Sequence, residues 1–331
     1  MKTSAAVFPL LLLLVSCSGP KLNFDKGIIP PLPVNFSTLN SIYDDYNSDL
    51  DITWTEKRFI LIFSTNRISF GNDFDFISYT GRIEFGLIDG SFSMAAAFSD
   101  NALVTALNSG NNELGPFFTH DIHYHYPWKS EDVARRFFYS SDRDGSLDIL
   151  CCSYDFGEGV FVPGGDPVPV SGLNTEFDEG YLTIHNVEGA NRETVYFMSD
   201  RDGSFDIWRA TGEENKLINE SSALTVSKVT QLSSSADDKC PYVSGSMMVF
   251  TSDREGGFGG FDLWYSVFNG QAWSAPVNMG EDINTEYNEY RPVVVSTKEE
   301  GFLNDLMVFS SDRPGGKGGF DLYYVGIPRR E

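Results

Sequence analysis

Val195-Tyr196-Phe197-Met198-Ser199-Asp200-Arg201 leads through Asp202-Gly203-Ser204 into Phe205-Asp206-Ile207-Trp208. The first part is apolar on successive positions, which suits a strand covered on both faces. Asp202-Gly203 supplies the φ > 0 residue that a tight hairpin needs. The last part is rich in aromatics and reads as a second strand. The phrase recurs. Ile60 to Arg67 leads to Phe74-Asp75-Phe76, Phe137 to Arg143 leads to Leu147-Asp148-Ile149, Val249 to Arg254 leads to Phe261-Asp262-Leu263, and Val308 to Arg313 leads to Phe320-Asp321-Leu322. Copies four and five hold glycine pairs between their strands, at Gly256-Gly257 with Gly259-Gly260 and at Gly315-Gly316 with Gly318-Gly319. These too read as hairpin turns, because neither a helix nor Lys-Ser/Thr follows them as a phosphate loop requires.

A third strand precedes the phrase and opens with an acid, at Glu113, Glu179, Asp238 and Glu289. A fourth is visible in Trp273 to Asn278. Four strands per unit of this length are one propeller blade. The last copy ends near Val325 without a fourth strand, whereas Ile28 to Asn35 resembles Trp273 to Asn278. The expected fold is therefore all-β: a five-bladed β-propeller whose N-terminal segment closes the last blade and removes a sheet edge. Its units run about 27–80, 81–152, 153–208, 209–266 and 267–326. Gly81 to Ala97 reads as extra material, a protruding hairpin around Asp89-Gly90; a sixth, degenerate blade near 81–110 is the alternative.

The 331 residues include 47 Asp+Glu against 24 Lys+Arg, a net charge of −23. Such a chain is repelled by phosphate backbones, so nucleic acid is not an expected partner. With 41% hydrophobic residues, general disorder is excluded. After Cys17, three cysteines remain, Cys151, Cys152 and Cys240, and they read as small buried residues rather than a disulfide framework.

Lys2 precedes an apolar run from Ala5 to Val15, too short for a lasting membrane span. Leu14-Val15-Ser16-Cys17 resembles the lipobox of bacterial lipoproteins at all four positions. That resemblance implies cleavage before Cys17, acylation of its thiol and a membrane anchor on several chains. Residues 1–16 are then the signal peptide, 17–26 a lipidated tether, 27–326 one propeller domain and 327–331 a tail. The expected location is the envelope of a Gram-negative bacterium, at the outer membrane facing the periplasm or exposed at the surface.

Ser199 to Trp208 and Ser311 to Tyr324 resemble the WD40-like repeat of TolB-type β-propellers, the latter in the glycine-rich version of Bacteroidetes-type envelope lipoproteins. The resemblance covers nearly all of the chain after Cys17 and implies a partner of envelope assemblies. Copy one departs from it, with Asn66 in place of the aspartate.

The repeated charges fall into sets. Asp142, Asp200, Asp253 and Asp312 stand before a turn, each followed by Arg143, Arg201, Arg254 or Arg313; Asp148, Asp206, Asp262 and Asp321 open the next strand. A role repeated in every blade is architectural: these carboxylates accept turn N–H groups and the guanidinium fork stitches strands. The rival is calcium at Asp142 to Asp148 and Asp200 to Asp206, which offer carboxylates around a glycine but lack the bidentate acid of an EF-hand loop. His123 and His125 share a strand face and could hold a transition metal. Glu113, Glu179, Asp238 and Glu289 either approach an axial channel or cap turns and pair with the repeated arginine. No nucleophile or metalloprotease motif occurs. The expectation is a non-catalytic scaffold that binds another envelope protein without a cofactor, with loops Gly81 to Ser99 and Phe117 to Trp128 supplying contacts. The alternative is a glycan-binding or glycan-hydrolysing propeller with an axial acidic site.

Overall fold

A computed structural model describes residues 21–119, 135–157, 160–186, 192–213 and 224–330. They form five antiparallel sheets around one axis, a five-bladed β-propeller. The chain enters with β1 (Val34–Asn35). The first blade is β2 (Asp45–Thr53), β3 (Arg58–Thr65), β4 (Asp75–Phe85) and β5 (Phe92–Phe98). The second is β6 (Glu113–Thr119), β7 (Arg136–Ser141), β8 (Asp148–Gly157) and β10 (Val168–Pro169), with β9 (Val160–Pro163) folded back on the end of β8. The third is β11 (Glu179–Asn186), β12 (Arg192–Ser199), β13 (Asp206–Glu213) and β14 (Thr225–Lys228). The fourth is β15 (Asp238–Ser244), β16 (Met247–Ser252), β17 (Asp262–Val267) and β18 (Val277–Asn278). The fifth is β19 (Glu289–Val295), β20 (Asn304–Ser311) and β21 (Asp321–Pro328), completed by β1.

The innermost strands β2, β6, β11, β15 and β19 touch one another in a closed ring. Each blade is sandwiched between two others, so its second strand is apolar on consecutive positions. Leu306, Met307, Val308 and Phe309 of β20 are all fully buried, as are Met248, Val249 and Phe250 of β16. Closure follows the expected route: Val34 pairs with Tyr324 and Asn35 with Tyr323. Phe36 then buries its ring against Tyr324 and Phe59, with centroids 5.3 and 5.9 Å away.

Gly81 to Ala97 does turn as a hairpin around Asp89-Gly90, but it is neither extra material nor a sixth blade. It completes the first sheet, with β5 paired to β4 from Tyr79–Phe98 to Phe85–Phe92. The chain continues into α1 (Ala102–Leu107), which was not expected. Asn101 caps it by accepting from Leu103 N–H at 3.0 Å, and Leu103, Val104 and Leu107 are buried. The three cysteines described are free and buried.

Every inner strand carries one extra residue opposite its partner, a β-bulge. The extra residue is left-handed in all five: Asn47 (φ 55°), Gly115 (57°), Tyr181 (55°), Cys240 (51°) and Arg291 (47°). Four non-glycine residues adopt a backbone that costs each of them energy, so the ring geometry outweighs local preference. Glycine serves differently at Gly115, where a Cβ would lie 2.7 Å from the Tyr181 ring.

Candidate functional site: the propeller axis

The start of each inner strand is fastened to the blade before it. The N–H of Asp45 donates to Phe320 O, that of Glu113 to Phe74 O, Glu179 to Leu147 O, Asp238 to Phe205 O and Glu289 to Phe261 O, at 2.6–2.8 Å. The residue preceding each acid answers with its side chain. Asp44, Asn112, Asp178, Asp237 and Asn288 accept the N–H of Phe320, Phe74, Leu147, Phe205 and Phe261 at 2.7–3.1 Å.

The acids themselves are turned to arginines and loop N–H groups. Glu113, Glu179, Asp238 and Glu289 are fully buried and each meets a repeated arginine: Arg143 at 3.2 Å, Arg201 at 2.9 Å, Arg254, and Arg313 at 2.9 Å. Each also caps its preceding loop. Glu179, for example, accepts the N–H and hydroxyl of Thr175 at 2.6 and 2.8 Å. Sequence reading missed the fifth member, Asp45, which pairs with Arg67 at 2.5 Å. Its signal was an acid 22 residues before the arginine, inside the 16–30 residues seen in the other copies.

The repeated aspartates do local work. Asp142, Asp200, Asp253 and Asp312 accept the N–H of the residue before each inner acid at 2.8–3.0 Å, and Asn66 does the same for Asp44 at 3.0 Å. Asp262 accepts from Phe258 N–H and the Asn278 amide, both at 2.7 Å; Asp321 accepts from Lys317 N–H at 2.6 Å and the Asn35 amide at 2.9 Å. Asp206 is taken by Lys228 at 2.5 Å. Asp148, Asp206 and Asp262 each keep an Oδ1 without a hydrogen-bond partner among the described residues, and burial raises the pKa of Asp148. Among the described residues no three His, Cys, Asp or Glu side chains cluster as a metal site. His123, His125 and Cys17 lie outside the described residues, as does most of Phe117 to Trp128; Phe117 and Phe118 are buried.

What faces the axis is the residue after each acid. Tyr46, Leu114, Lys239 and Tyr290, with Tyr181 from the bulge ring, line a cavity of about 440 Å³. A second tier comes from the residue before each strand-opening aspartate, Leu147, Phe205, Phe261 and Phe320, with Met198 and Asn288. The walls are packed rings: Tyr46 lies 4.7 Å from Phe74 and 5.6 Å from Phe320, and Tyr290 lies 5.5 Å from Phe261. Among the described residues no carboxylate lines this funnel, and Lys239 is the single cation of its lining. It is held 2.8 Å from the Asp237 carboxylate and over the rings of Phe205 and Phe261 at 4.3 and 5.0 Å.

Further along the axis β2 carries Asp49 and Asp51. Asp49 is buried, accepts Phe118 N–H at 2.7 Å, and has its pKa raised by burial to about 6, against the pull of Arg291. Arg291, fully buried, donates to Pro116 O at 2.8 Å and lies over the rings of Tyr181 and Tyr242.

No family model and no curated protein sequence matches the chain. Solved structures do match its fold. The catalytic domain of a Coprinopsis cinerea GH62 α-L-arabinofuranosidase aligns over 91% of this chain and 98% of its own, at 10% identity and a TM-score of 0.53. The α-L-arabinofuranosidase PaAbf62A of Podospora anserina, solved with cellotriose, aligns over 90% and 94% at 11% identity and 0.52. A thermostable family-43 glycoside hydrolase aligns over 86% and 90% at 11% identity and 0.52. At this identity the likeness shows the fold. It also corrects the family expected from the repeat motif. These structural relatives are glycoside hydrolases rather than TolB-type lipoproteins. The non-catalytic, protein-binding scaffold inferred from that motif falls with it.

Proposed function

We propose that this chain acts on carbohydrate, binding a saccharide at the propeller axis and hydrolysing a glycosidic bond. The observation that carries this reading is the aromatic funnel of about 440 Å³ at the centre of a five-bladed ring. Pockets of this size, mostly apolar with a few fixed polar groups, are the usual form of a small-ligand site, and tyrosine and phenylalanine faces suit the apolar faces of sugar rings. The same architecture in arabinofuranosidases and a family-43 hydrolase supports it.

Glycoside hydrolysis ordinarily needs two carboxyl groups, one protonated near neutral pH. The five inner acids are committed to arginines and turns. Asp49 and Asp51 are the remaining carboxyls on an inner strand of the first blade. Asp49 has the raised pKa that a proton donor requires. Two residues apart, the pair sits on one strand face, roughly 6.8 Å apart along the strand. The test is release of reducing sugar from arabinoxylan, arabinan and β-1,3-galactan. Turnover by the wild-type chain, falling about 100-fold or more in Asp49→Asn and Asp51→Asn with neither variant losing stability, is expected. Absence of product from every polysaccharide with folded protein overturns the reading.

A further inference from the structure

We propose that the axial funnel selects a carboxylate-bearing saccharide, a uronic-acid type of sugar, and that Lys239 is the residue that reads its charge. This rests on the carbohydrate reading above and narrows it.

The position of Lys239 is set by the repeat, but its charge is not. The equivalent residue, next after the inner acid, is Tyr46, Leu114, Gly180 and Tyr290 in the other blades. The blade therefore needs no cation there. A lysine nevertheless stands where four blades manage without one, in a funnel lined by no carboxylate among the described residues. The ammonium is also prepared for a ligand. Asp237 holds it at 2.8 Å while Asp237 is itself fixed by Phe205 N–H at 3.1 Å. The rings of Phe205 and Phe261 flank it, and its side chain is only 15% exposed. An ammonium carries three donors; one goes to Asp237, leaving two for an incoming carboxylate. Asn288, whose Oδ1 accepts from Phe261 and whose amide nitrogen donates to Asp312, adds a rigid polar edge to the same wall.

Below the floor a further cation stands beside Asp49, whose pKa it pulls down. Arg291 follows Tyr290 on β19, is fully buried, and keeps Nε and Nη1 without a hydrogen-bond partner among the described residues. Two cations thus lie along the axis of a chain whose net charge is −23. At long range that body repels anions; a local cation in a weakly hydrated aromatic funnel is what lets a single acidic sugar enter.

Calorimetric titration with trigalacturonate and with neutral galactotriose tests this on the wild-type chain, on Lys239→Met, which keeps an apolar stem over Phe205, and on Lys239→Arg. Trigalacturonate is expected to bind at least 10-fold more tightly than galactotriose at low ionic strength, with the gap closing in 0.5 M salt as screening demands. Lys239→Met removes the gap by weakening only the acidic ligand, and Lys239→Arg retains most of it. Equal binding of the two sugars, binding of neither, or a preference that survives Lys239→Met in a protein of unchanged melting temperature overturns the proposal. The outcomes separate it from the hydrolytic reading. Lys239-dependent binding without cleavage of any glycan sinks hydrolysis alone, and cleavage of neutral glycans without acidic preference sinks this inference alone.

Discussion

Arg67 meets Asp45 at 2.5 Å, the same contact that Arg313 makes with Glu289 at 2.9 Å at the other end of the chain. The first blade has lost the repeated aspartate to Asn66 and widened its turn through Ile68 to Phe70, yet the ion pair is intact. The part of the phrase that tolerates change is the turn; the part that is kept is the buried acid and its arginine. In every blade this pair bonds to a loop carbonyl as well, Leu39 O for Arg67 and Ile283 O for Arg313. It therefore ties inner strand, second strand and the entering loop together.

Removing one partner strands the other. Glu289 accepts from Thr285, Ser311 and Arg313 with no exposure to water. Glu289→Ala is expected to cost about 3–5 kcal/mol, because a buried guanidinium and two hydroxyls lose their acceptor. Urea unfolding monitored by tryptophan fluorescence reads the loss directly.

Asp49 makes stability depend on pH in a definite direction. Its pKa is raised from 3.8 to about 6 in the folded chain. Between these values the folded state holds a proton that the unfolded state has released, so stability falls as pH rises from 4 to 6 and is level above. A shift of this size corresponds to about 3 kcal/mol. Asp49→Asn, which still offers an oxygen to Phe118 N–H, is expected to flatten that part of the profile and to be the more stable protein at pH 7. Chemical denaturation at pH 4.5 and 7 in both proteins supplies the comparison.

Two glycines of one kind of loop should respond differently to alanine. At Gly318 an added Cβ would sit 1.9 Å from Tyr43 O, a backbone atom that cannot move aside. Gly145 has φ +104° but open space around the Cβ position. Gly318→Ala is expected to lower stability by several kcal/mol and Gly145→Ala by about 1–2 kcal/mol, the cost of a strained backbone alone. Paired thermal melts of the two variants decide it.

The lipobox resemblance puts the expected acyl anchor on Cys17, which lies outside the described residues. Cys17→Ser is expected to move the chain from the membrane fraction to the soluble fraction and to abolish incorporation of radiolabelled palmitate. A variant that still carries the label removes Cys17 as the acylated residue.

The fold was legible because its period is written in side chains. Apolar runs such as Met307-Val308-Phe309 and the turn residues after each arginine announce covered strands and hairpins, and the likeness of Ile28–Asn35 to Trp273–Asn278 announced the closure. The second blade was misjudged at its start, since Phe92 to Phe98, with three consecutive alanines, shares no phrase with the outer segments Ile28–Asn35 and Trp273–Asn278. The glycine pairs were only partly understood. Gly315 has φ +94°, as a turn requires, but Gly318 is there for close approach of another loop, which no local pattern reveals. The funnel was hidden for a similar reason. Phe205, Phe261 and Phe320 were visible as members of the repeat, and Lys239 as a neighbour of an acid, but that they share one cavity depends on residues from separate blades meeting at an axis. The four inner acids drew attention as a possible axial site because periodicity marks them; burial and their arginines place them in the frame of the molecule instead.

Because β1 lies outermost in a sheet whose other three strands are β19, β20 and β21, the final blade cannot be completed until β21 has been made. Residues 34–35 must wait, unpaired, for Asp321–Pro328 to leave the ribosome. The ring therefore closes only once β21 has been made, and a chain interrupted anywhere before Tyr323 is left with an open seam.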